Sequence, residues 1–94
     1  MPYIPQPRRF ELDFQIDRLQ WHLWSIGDVN YVITRLLDDY LGTDPTYETF
    51  NAAIGVLECA KLELYRRLVA PYEDKMCLEN GDVFRYNEET EPHD

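Results

Sequence analysis

Apolar positions recur at helical spacing along most of the chain. Leu12, Ile16, Leu19, Leu23 and Ile26 step by four and three residues, which places them on one face of a helix over 10–26, and Gly27 ends the run. Phe14, Trp21 and Trp24 fall off that face and form a second apolar stripe, so this helix needs cover on two sides. Val29, Val32, Ile33, Leu36, Leu37 and Leu41 repeat the pattern over 28–41, with Asp28 placed to cap the start and Gly42 to stop the helix. In "GTDP", Asp44 can cap and Pro45 can take the first position of a third helix. That helix is expected over 45–70. Tyr47, Phe50, Ile54, Leu57, Leu64 and Leu68 share its face, while Ala53 and Ala60 beside them admit a close neighbour.

Prolines break the pattern at both ends. Pro2, Pro5 and Pro7 predict an extended arm over 1–9. Pro71 lacks a backbone donor and crowds the preceding turn, so the third helix is expected to end or kink there. "YEDKMCLE" can resume helical turns, Asn80-Gly81 marks a turn, and "DVFRY" carries the one hint of a strand. The acidic "NEETEPHD" predicts a disordered tail over 87–94. The expectation is therefore a single all-α domain over 1–94. It is a small three-helix antiparallel bundle with an extended N-terminal arm and a kinked C-terminal extension over 72–86.

Length and charge turn this outline into expectations about partners. Ninety-four residues supply one core, and a chain this small buries only roughly 60–65% of its unfolded surface, so self-association is a natural source of further stability. Phe14, Trp21, Trp24, Met76 and Phe84 are surplus to a three-helix core and form the expected oligomer interface, with residues beyond Pro71 acting as a lid or reaching a second subunit. Eighteen acidic residues against nine basic ones give a net charge of -9, which repels phosphate backbones and anionic lipid. Direct nucleic-acid or membrane binding is not expected. No run reaches the ~18 to 20 apolar residues needed to cross a bilayer, and "MPYIPQPRRF" has no apolar signal core, which points to the cytoplasm. Cys59 and Cys77 lie far apart with no CxxC pair, so they read as two half-buried free thiols rather than zinc ligands.

Candidate chemistry is sparse. His22 and His93 are remote from each other, and there is no GxSxG, HExxH, phosphate-binding loop or dinucleotide fingerprint; no catalytic residue, metal or cofactor is expected. Ser25, Thr34, Thr43 and Thr49 read as caps, turn formers or helix surface. Binding has more support. If helices two and three pack antiparallel, Asp28, Asn30 and Tyr31 approach Glu58, Lys61, Tyr65 and Arg66, with Tyr72 arriving from beyond Pro71. In such a pocket the cations would meet a small anionic ligand and a tyrosine could stack on a base. The plainer reading is that Asp28 only caps, Lys61 pairs with Glu58 at i+3, and the tyrosines fill the bundle edge.

Two resemblances bear on function. "GDVNYVITRLLDDYL", "YETFNAAIGVLECAKLELYRRLVAPYEDKMCLENGDVF" and the opening "MPYI" resemble a family of short prokaryotic and phage proteins whose function is not known. That resemblance implies a cytoplasmic protein, in the host cytoplasm if phage-encoded, and assigns no residue a role. "IGDVNYVITRLLDDYLG" also resembles the second metal-binding helix of the all-helical nucleoside triphosphate pyrophosphohydrolases of the MazG type, which hold magnesium on ExxE and ExxD carboxylates. Asp28 matches the aspartate of the second motif. Ser25 stands where its glutamate should be, and the first helix offers Glu11, Asp13 and Asp17 without an ExxE. The leading functional expectation is a small acidic, oligomeric binding or interaction protein that sequesters a ligand or blocks a protein partner. The alternative is a nucleotide-binding sponge or a degenerate MazG-like pyrophosphohydrolase.

Overall fold

A computed structural model describes residues 2–85; the expected tail over 87–94, with His93, lies outside them. The described chain is all-α, a small bundle-like fold of three principal helices, the third continuing into a fourth helical segment. Packing groups the chain into two compact units, Met1–Ala60 and Lys61–Asp94, so the single domain expected from length has two compact parts.

In the first unit, α1 spans Gln6–Gln20, earlier at both ends than the periodicity implied. The N-terminal prolines start this helix instead of delaying it. Pro5 is the N-cap and Pro7 sits in the first turn, where a missing N–H costs nothing because the first four donors of a helix have no partner within it. The Pro5 carbonyl accepts from Arg8 and Arg9 N–H at 3.0 and 3.1 Å. Only residues 2–5 remain extended, and Arg9 ties them down: its Nε donates to the Ile4 carbonyl at 2.6 Å, and its guanidinium lies 5.8 Å from the Tyr3 ring. The helix unwinds through short-range bonds, His22 N–H to Leu19 O and Leu23 N–H to Gln20 O at 2.9 and 3.0 Å.

Helix α2 spans Ile26–Leu41, so Gly27 lies inside it. Ser25, extended at φ -138° and ψ 165°, is its N-cap. Gly42 closes the helix at φ 72° and ψ -157°, backbone space reserved almost wholly for glycine. Helix α3 spans Tyr47–Leu64, two residues later than Pro45 implied. Its start is set by threonines: Thr49 N–H donates to Thr46 Oγ1 at 3.3 Å, and Thr46 N–H donates to Thr49 Oγ1 at 2.8 Å. Asp44 is therefore not the cap. Val32, Leu37 and Leu41 of α2 are half-buried, and Ala53 of α3 is the one buried residue among those described, at 6% exposure. Helix α1 buries no residue.

The second unit shows how the chain accommodates Pro71. A π-helical turn spans Tyr65–Val69, in which Ala70 N–H reaches back five residues to the Tyr65 carbonyl, and α4 follows over Ala70–Asn80. In an unbroken α-helix the proline ring would press on the carbonyl four residues earlier. The wider turn relieves that crowding, so helical structure continues through Pro71. Gly81, at φ 89° and ψ 151°, ends α4, and Asp82 Oδ1 accepts from Phe84 N–H at 2.8 Å to make a local turn. No strand forms at 82–85.

Candidate functional site

The junction between α1 and α2 is held by a reciprocal capping box. Ser25 Oγ accepts from Asp28 N–H at 3.1 Å, while Asp28 Oδ2 accepts from the backbone N–H of Trp24 at 2.8 Å and of Ser25 at 3.2 Å. Asp28 is thus the third residue of the helix and not its N-cap, and its carboxylate is occupied. The Trp24 N–H holds that carboxyl below the usual aspartate range, against the opposing effect of lost hydration and with smaller help from Ser25. The "SIGD" spacing, a serine three residues before an acid, is the signal that could have placed the cap.

This junction presents the aromatic rings to solvent. Trp21 and Trp24 are 85% and 89% exposed, and Phe14 is exposed with them. A cleft of about 450 Å³ is lined by Phe14, Asp17, Arg18, Trp21 and His22. Arg18 lies 5.9 Å from the centre of the Phe14 ring, close enough for the cation to engage its face. Two rings, one cation, one carboxylate and an imidazole thus line the cleft. The set contains no hydroxyl or thiol nucleophile.

Along α2, the residues expected to line an anion pocket are engaged with their own helix. Thr34 Oγ1 donates to the Asn30 carbonyl at 2.8 Å, and Arg35 Nη1 donates to Tyr31 Oη at 3.2 Å. That bond to Tyr31, and then the charge of Asp39 4.0 Å away, raise the Arg35 pKa. Glu58 is exposed on α3. A groove of about 400 Å³ lies between α2 and α3 and is walled by Ile33, Leu36, Leu37 and Tyr40 on one side and Ala53, Val56, Leu57 and Ala60 on the other. It contains no charged side chain.

In the second unit, Arg66 pairs with Glu63 at 2.9 Å, while Lys61 and Tyr72 are exposed. Tyr65 opens the π turn and lines a cavity of about 460 Å³ with Glu73, Asp74, Met76, Cys77 and Phe84 among others. Its carboxylates disfavour phosphate. Met76 is half-buried and Phe84 exposed. Neither Cys59 nor Cys77 is in a disulfide, and both are exposed where half-burial was expected. Among the described residues no three His, Cys, Asp or Glu side chains converge to hold a metal ion. Among the same residues no helix is long and apolar enough to cross a membrane.

The family model described as "Domain of unknown function (DUF6899)" matches residues 1–83, and the chain belongs to that family. No curated protein and no solved structure matches the chain.

Proposed function

We propose that this member of a family of unknown function is a small acidic, homo-oligomeric interaction protein that acts by holding or blocking a protein partner. The observation that carries the reading is the exposure of Phe14 and Trp21 around one cleft, beside Arg18, with Trp24 equally exposed three residues further on. Tryptophan and arginine are the residues that most often dominate binding energy at protein interfaces. Water leaves such rings without their hydrophobic gain, so a surface that collects them gains by being covered. The net charge of -9 adds a preference for partners with a basic rim. A cytoplasmic site of action belongs to the same reading, since two exposed cysteines that form no disulfide suit a reducing compartment.

Native mass spectrometry of the protein isolated from its own cells tests the proposal. The expected result is a multiple of the chain mass carrying a second polypeptide at a fixed ratio, with the second polypeptide lost from Trp21→Ala. A single-chain mass with no polypeptide attached overturns the proposal, and a stoichiometric nucleotide in its place would favour the sponge instead.

A further inference from the structure

The apolar groove between α2 and α3 has no use in the partner surface on α1. Its walls are unlike each other. Helix α2 contributes the bulky Ile33, Leu36, Leu37 and Tyr40, whereas α3 contributes a floor of Ala53, Val56 and Ala60 with one large side chain, Leu57. Leu36 and Val56, 62% and 60% exposed, are further uncovered than core positions of a helix pair should be, and Val29 and Phe50 continue the face on either helix. A wall of large side chains beside a floor of mostly smaller ones is self-complementary. A two-fold axis lays each wall over the opposite floor, in the manner of ridges packing into grooves.

We infer that a second copy of this chain docks in the α2–α3 groove, with Leu36 and Tyr40 of each copy over Val56 and Ala60 of the other. The inference rests on the homo-oligomeric part of the proposed function and says where the copies meet. Area supports a second copy as the occupant. Leu36, Tyr40, Val56 and Phe50 are 62%, 56%, 60% and 48% exposed, and a two-fold contact covers this face on both chains at once, so each uncovered side chain counts twice toward the roughly 1,600 Å² of a standard interface. Charge supports it too. Two chains of net charge -9 repel each other wherever their acidic faces meet, and the groove lining is free of charge. A partner chosen by the acidic surface would seek the charged faces instead.

Sedimentation velocity over a concentration series, with reductant because Cys59 is exposed on α3, reads the assembly. The parent chain is expected to reach the two-copy mass in the micromolar range. Leu36→Lys and Val56→Glu should each weaken association at least tenfold, and an equimolar mixture of the two should restore it, because the new lysine then faces the new glutamate. Ala60→Arg, at an exposed helical position, should also give single chains with helix content by circular dichroism unchanged, which separates a blocked interface from a misfolded chain. Trp21→Ala should leave the mass at two copies. If Ala60→Arg stays dimeric and Trp21→Ala becomes monomeric, the copies meet through α1, and the inference fails while the oligomer stands. A parent chain that remains single throughout the range overturns both.

Discussion

Ser25 and Asp28 satisfy three backbone donors at the start of α2 with two short side chains. Ser25→Ala removes the acceptor for Asp28 N–H and is expected to lower stability by about 1 kcal/mol in a denaturant titration. Asp28→Asn is expected to destabilise in a way that depends on pH. The folded carboxyl sits below its ordinary range, so its stabilising contribution is complete above the unfolded value, near pH 4, and is lost as the pH falls through the folded value. Melting curves of parent and Asp28→Asn should therefore converge in strong acid and separate toward neutral pH. A gap that stays constant with pH would mean that the charge plays no part in the cap. Sequence reasoning found that Asp28 serves the helix start but gave it the wrong position. Glycine at 27 looked like a stop, but the reciprocal bonds of Ser25 and Asp28 show that the helix has already begun by then. The pocket residues were less legible still. Asn30, Tyr31 and Arg66 have the right chemistry for an anion, but each has a neighbour three or four residues away on its own helix, and such local pairs form readily.

At the scale of elements, α2 and most of α3 were readable because their apolar residues keep a helical period over several turns. The π turn was not, because proline reports that an α-helical bond is missing without saying whether the chain stops, bends or widens. Here it widens: the bond into Tyr65 spans five residues, and α4 carries on. Pro71→Ala returns the missing donor and removes the crowding ring. The expected outcome is a shift of Tyr65–Val69 toward α-helical pairing with a higher melting temperature. The gain should stay below the roughly 3 kcal/mol that a proline costs inside an undistorted helix, since the turn already relieves part of it. Amide exchange at residues 69–71, together with the melting temperature, checks this. No change in either would show that the wide turn is set by something other than the proline. The prolines at the other end teach the converse lesson, since Pro5 and Pro7 begin a helix because their rings suit its first turn.

For the whole molecule, the helical spacing of apolar positions correctly announced an all-α fold, and many large apolar side chains of the described residues are exposed. The spacing could not say which rings would be left over, because that depends on which helix face turns toward a neighbour. Helix α1 buries none of its residues, and the chain's two tryptophans both stand in water near its end. This gives the protein a built-in optical gauge. The isolated chain should fluoresce at the long wavelengths of hydrated indole and be quenched freely by acrylamide. Two copies joined through α2 and α3 should keep that colour, whereas a partner seated over Trp21 should move it toward the blue and slow the quenching. A single emission spectrum, recorded alongside a measurement of mass, can thus report separately on who covers the tryptophans and on how many chains are present.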